Sequence, residues 1–306
     1  MDLGRTLRFS LLPAALIAVV AWWQLSDATC AWQSRRCGPE PTERSAPTGT
    51  PDHRNVPSAA RHLPTGPFHR VRGELETRAV AGDGDAAFHL GRTLYVCSRF
   101  RPISDSAFDA MLAEVALRAG NLFKIADTPL GDPVALDFML DAKAEMDRLC
   151  VGTAGLEMEP NDRTPHRWVL HAASLGHPLA MATYGDYAFN EFPDTAAVLD
   201  HASEVARRRD RARSLLDSAL RAHEPAALLA HAKAHDRGGL LEPDGVRALA
   251  YWRAYRQTGP GRSMSPAAAE LTDRHYRNGL DAQAEAQANA LAASLLSRFP
   301  GQDAGS

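Results

Sequence analysis

From about residue 70 the apolar positions recur every three or four residues, in a chain dominated by alanine and leucine and poor in valine, isoleucine and tyrosine. That period and composition predict helix and exclude an extended sheet. The clearest unit is Arg167 to Phe189. Its first helix carries Trp168, Leu170, Ala172, Ala173 and Leu175. Gly176 stands where a helix C-terminus takes a left-handed residue, and Pro178 where the next helix begins. The second helix places Ala180, Tyr184 and Ala188 on one face. Gly185, beside Tyr184, is expected where two helices touch, so that leucine there would overpack.

A hairpin of this size cannot cover its apolar side alone and needs copies of itself as neighbours. In one copy Gly82 matches Gly176, Ala86 matches Ala180 and Leu90-Gly91 matches Tyr184-Gly185. In a looser one Glu224-Pro225 matches His177-Pro178, and Ala227, His231 and Ala232 follow in register. The matched alanines are 94 and 47 residues apart, and the longer gap leaves room for one more pair. Asp105 to about Ala126 and Asp132 to Cys150 fill it, the second helix starting on an Asp-Pro cap. An Ala-rich helix from Leu280 to Phe299 is placed to close the array. Nine or ten helices and no sheet are expected, beginning near Arg70.

Three motif stretches carry a family resemblance: Ala172 to Ala188, Asp244 to Gly259 and, less closely, Ala79 to Cys97. The pattern Ala-x-x-x-(Leu or Tyr)-Gly, followed after a loop by Asp-x-x-x-Ala-x-x-Tyr-Trp, resembles the Sel1-like repeat, a relative of tetratricopeptide repeats. The resemblance implies an all-α fold, an α/α solenoid of helix hairpins with a C-terminal capping helix, spanning residues 70–300. The period is longer than that family's, and the 105–150 pair lacks its Leu-Gly or Tyr-Gly signature, so that pair reads either as an insertion or as a degenerate repeat.

The N-terminus departs from this pattern. Residues 1–8 are short and basic, a cytoplasmic n-region, and residues 9–25 are almost uncharged. They read as a signal-anchor or a signal peptide, with Trp22 and Trp23 suited to the outer membrane interface. Residues 26–69 form a Pro-rich linker, expected to be disordered. The chain is therefore expected at the inner membrane with its bulk on the periplasmic side, or in the periplasm after cleavage. A net charge of −3 gives no reason to expect nucleic acid or an anionic surface as partner.

In an oxidising compartment the four cysteines favour disulfides, and Cys97 with Cys150 is the chosen pair because each ends the second helix of a hairpin. Gly82-x-Gly84-x-x-Ala87 lacks the strands of a dinucleotide site and reads as a turn. His231 and His235 share a helical face without a third ligand placed by spacing, so packed histidines are expected rather than a metal. The arginines at 207, 208, 209, 211 and 213 read as a solvated face. No hydrolase or phosphotransfer motif is present, and neither an enzyme nor a cofactor is expected. The function read from this is a membrane-tethered periplasmic scaffold for protein or peptide partners, with Trp168, Trp252 and Tyr255 as candidate binding anchors. The alternative is a cell-envelope enzyme or small-ligand carrier with its site in the solenoid groove.

Overall fold

The computed structural model describes residues 63–98, 100–119, 122–156, 163–236 and 240–299. The apolar N-terminal run, Cys30, Cys37 and nearly all of the linker lie outside them. Among the described residues no helix is long and apolar enough to cross a membrane.

The chain folds as packed α-helices. The first pair is α1 (Phe68–Val80) and α2 (Gly84–Cys97). Then come α3 (Asp105–Ala119), α4 (Pro133–Leu149), α5 (Thr164–Ser174), α6 (Pro178–Tyr187) and the short α7 (Thr195–Asp200). They are followed by α8 (Ala202–Arg221), α9 (Pro225–Asp236), α10 (Gly245–Arg256), the single turn α11 (Gly259–Arg262), α12 (Pro266–Arg277) and α13 (Ala282–Leu296). The described residues hold thirteen helices where nine or ten were expected, and the two shortest of them are α7 and α11. Each begins at its own side-chain cap, Asp194 and Thr258, which restarts the helix after a break.

The turns follow the chemistry of their residues. Asp83, Asp132, Asp194, Asp244, Ser265 and Asp281 each accept a hydrogen bond from a backbone N–H of the helix they precede. His177 does the same through Nδ1, to Ala180 N at 3.0 Å. Three hairpins turn on a left-handed residue, Gly82 (φ 95°), Gly176 (φ 81°) and His223 (φ 58°). Four residues later stand Ala86, Ala180 and Ala227, all fully buried. The repeat register read from sequence is thus a register of the backbone.

Packing runs α1 on α2, α2 on α5, α5 on α6, α6 on α8, α8 on α9, α9 on α10, and α10 on α12 and α13. The pair α3–α4 is skipped, because α5 packs directly on α2. It is therefore an inserted hairpin with its own small core of Phe108, Met111, Leu112, Leu130, Phe138 and Met139. That core is completed by Ala267 and Leu271 of α12. At its other end the hairpin is tied to α2 by the disulfide Cys97–Cys150, with Cα atoms 5.5 Å apart. The insertion thus links the first helical pair to the C-terminal helices.

Its tip differs from the expected continuous helix. After α3 the chain makes a two-stranded antiparallel hairpin, β1 (Lys124–Ile125) and β2 (Thr128–Pro129). Both turn residues, Ala126 (φ 49°) and Asp127 (φ 64°), are left-handed. Neither is glycine or asparagine, so no sequence signal marks the turn. Asp127 accepts a hydrogen bond from Asn278 at 3.3 Å and lies 3.6 Å from His275, and Asp132 pairs with Arg274 at 3.1 Å. These polar contacts hold the tip against α12.

Candidate functional site

The aromatic anchors expected from sequence are placed mainly in the core. Trp252 is wholly buried, packed with Tyr255 and Tyr276 at 6.1 and 5.9 Å between ring centres. Its indole N–H donates to Asp273 at 3.3 Å. Tyr255 is buried as well, and only Trp168 keeps a half-exposed ring, set edge-on to His171. Trp252 and Tyr255 fall on the α10 face that packs on α9, α12 and α13, so their side chains fill the interior and are closed to a partner.

The arginines of α8 divide. Arg207 and Arg209 are exposed, but Arg208 falls in register with Val205, Ala212 and Leu216 and points inward. It donates to Ala188 O at 2.8 Å and to Glu204 at 2.5 Å, is paired with Glu191, and lies 5.2 Å over the Phe192 ring. Arg163 closes on the same Glu191 at 2.9 Å. Next to this pair His166 meets the Tyr184 hydroxyl at 3.0 Å. Burial, reinforced by the charges of Arg208, Arg211, Arg163 and Arg167, pushes the His166 pKa down to about 3. A neutral imidazole among fixed cations makes this an interior polar network that ties α5, α6 and α8 together.

His231 and His235 lie under the Tyr251 ring, at 4.6 and 5.9 Å, in near-parallel stacks. His235 meets Glu242 O at 2.9 Å, whereas neither ring nitrogen of His231 has a hydrogen-bond partner. Its nearest carboxylate, Asp217, is 4.0 Å away, and burial pushes the His231 pKa down to about 4. Among the described residues no group of three metal-ligating side chains gathers, here or elsewhere.

One surface combines access with unused charge. The second helices of the three copies are α2, α6 and α9. Each leaves a half-buried stripe: His89, Arg92 and Val96 on α2; Thr183 and Asp186 on α6, with Asn190 in the turn after it; Ala226, Ala230 and Lys233 on α9. The stripes adjoin. Tyr95 of α2 packs on Tyr187 of α6 at 5.0 Å, its hydroxyl donates to Asn190 at 3.4 Å, and α6 packs on α9. Arg92, Asp186 and Lys233 each stand six residues after the matched alanine, so three successive helices carry one charge each at one level, in the order plus, minus, plus.

The environment of these charges is unusual for a surface. Neither Asp186 nor Lys233 makes a hydrogen bond or ion pair with a described residue. Burial raises the Asp186 pKa although Lys233 pulls it down, and burial and Arg92 together lower that of His89. Asp186 is thus only half-exposed and is desolvated by the protein around it. Arg92 has a loose partner in Glu145 of α4, at 3.9 Å with both side chains about 40% exposed. The repeat alignment contained this row, because all three positions share one offset.

A recess of about 720 Å³ opens between α10, α12 and α13, lined by Arg253, Arg256 and Asn289 together with Glu270 and Asp273. Its charges are already engaged: Arg253 with Glu285 at 2.9 Å and Asn289 at 2.6 Å, and Asp273 with the Trp252 indole. No protein family, curated protein or solved structure matches this chain.

Proposed function

We propose that the chain is a binding scaffold whose helical pairs stack as a Sel1-like solenoid interrupted by the α3–α4 hairpin. Its site is the half-buried surface of α2, α6 and α9, and its ligand is a protein or peptide segment. The observation that carries this reading is the pair Asp186 and Lys233, opposite charges held half out of water with no hydrogen bond or ion pair to a described residue. A desolvated charge lowers stability unless something compensates it, so its retention on an accessible wall fits a role in binding. The three buried alanines at Ala86, Ala180 and Ala227 support the stacked-repeat reading. The apolar run at residues 9–25 supports a membrane-tethered scaffold on the periplasmic side.

Selection from a random peptide library on the immobilised full-length protein tests the site. Enriched peptides are expected to lose binding to Asp186→Asn and Lys233→Gln and to keep it in Leu199→Ala, which alters an exposed side chain of α7. Enrichment indifferent to both charge variants removes the site. The carrier reading rests on the recess between α10, α12 and α13. Its charges are already paired, and so it ranks second.

A further inference from the structure

The network of α5, α6 and α8 holds more cations than its carboxylates balance. Glu191 meets Arg163 at 2.9 Å and also pairs with Arg208, so it joins the start of α5 to the middle of α8. Glu204 takes up Arg207 and another edge of Arg208. Two guanidiniums beside them are left over. Arg167 stands one turn after Arg163, whose carbonyl accepts its backbone N–H at 3.0 Å, and Arg211 stands one turn after Arg208. Both are exposed, and neither makes an ion pair with a described residue. Glu204, Arg208, Arg211 and Leu215 follow one another along one side of α8. On that side Arg208 reaches Ala188 O, and Leu215 packs against the core shared by α1, α2, α5 and α6. Arg211, between them, is therefore turned toward α5 and α6. Burial first, and then Arg208, Arg211, Arg163 and Arg167, hold the His166 pKa down, while Arg211 and Arg208 pull against the burial that raises the Tyr184 pKa. Four cations thus gather on one His166–Tyr184 pair, whose polar atoms are 3.0 Å apart.

We propose that Arg167 and Arg211 form a further binding site, which takes a tetrahedral dianion, either free phosphate or a small phosphate monoester. Two guanidiniums without a carboxylate match the two charges of one phosphoryl group, and their planar forks match its oxygens. A carboxylate ligand brings one charge and leaves one arginine unanswered. Glu191 fixes Arg163 and Arg208 in place, so the positive field behind the site is assembled before any ligand arrives. A bound dianion offsets the cations around His166, and binding is therefore felt at that ring. The site belongs to α5 and α8, and it does not depend on the reading of the stripes on α2, α6 and α9.

Isothermal titration of the full-length protein with inorganic phosphate, glycerol phosphate and acetate tests this, at constant ionic strength and a mildly alkaline pH where both phosphates are mainly dianions. Both phosphates are expected to bind about tenfold or more tightly than acetate. Tighter binding of glycerol phosphate identifies an ester as the ligand, and the reverse order identifies the free ion. Arg167→Gln and Arg211→Gln change exposed side chains, and each is expected to weaken phosphate about tenfold. Arg209→Gln changes an exposed arginine of the same helix that does not act on His166, and it is expected to keep the native affinity. In nuclear magnetic resonance spectra phosphate should shift the ring signals of His166 and leave those of His231 in place. Equal affinity for phosphate and acetate overturns the proposal. An equal loss in all three arginine variants shows attraction to a generally positive surface and overturns it too. So does the absence of both heat and shift, the result expected if Glu157, Glu159 or Asp162, just before α5, already answers the two arginines.

Discussion

Gly91 leaves no room for a side chain against Val169: a Cβ there would lie 2.6 Å from Val169 Cγ2 and 2.9 Å from the Pro165 carbonyl oxygen. Here α2 lies close against α5, and two of the three nearest atoms are backbone, so little can give. At Gly185, the matched position of the next copy, an added Cβ would meet only Leu240, at an ordinary 3.7 Å. The close approach expected at Gly185 belongs to Gly91. Gly91→Ala is expected to cost about 1–3 kcal/mol by overpacking. Gly185→Ala should be neutral or stabilise by up to about 1 kcal/mol through helix propensity. Urea denaturation of the two variants checks this, and equal effects at both positions would contradict it.

Cys97 and Cys150 close a 53-residue stretch that contains the whole α3–α4 hairpin. The chain-entropy account gives such a loop a stabilisation of roughly 4 kcal/mol. Peptide mapping without reduction should recover the two cysteines joined. Cys97→Ala, Cys150→Ala and the double variant should melt lower by similar amounts, since each removes the same bond. A double variant twice as damaging as either single would show that the thiols act separately.

Acid should unfold the protein through its buried histidines. His166 and His231 have folded pKa values of about 3 and about 4, below the ordinary 6.5. The unfolded chain therefore binds more protons below pH 6.5, and stability falls as pH drops through 6.5 toward 4, by an amount on the order of a few kcal/mol. His231→Leu restores the residue type found at the matched position Leu90 and removes a ring with two unpartnered nitrogens. It should raise stability at pH 7 by about 1 kcal/mol and flatten the acid limb. Melting temperatures across pH 4–8 decide; an unchanged slope in the variant would contradict the assignment.

Asp186 works in the opposite direction. Its folded pKa is raised, so its cost is present at neutral pH and disappears as pH falls and the carboxyl takes up a proton in the folded state. Asp186→Asn should melt higher than the native protein at pH 7, with the gap closing toward acid pH. A variant less stable at every pH would mean that the carboxylate has a structural partner.

Helices, their caps and their copies were legible because they depend on local chemistry. Gly82 and Gly176 turn left-handed, Asp132-Pro133 starts a helix, and Ala86, Ala180 and Ala227 are buried where the register puts them. The pairing of Cys97 with Cys150 was legible too, because both residues end second helices. Matters set by distant neighbours were not. The β-turn at Ala126-Asp127 is held by Asn278 and by His275, about 150 residues away in the chain, and its own residues do not favour it. Trp252 and Tyr255 have the character of surface anchors, but α12 and α13 cover the face of α10 on which they lie. By itself the sequence determined a mostly helical chain and where many of its helices begin, since propensity and period act within a few residues. Only the tertiary structure decided that α3–α4 is tied at both ends, and that Asp186 and Lys233 stand half-buried without an ion pair to a described residue, because burial and pairing depend on which helices come to lie side by side.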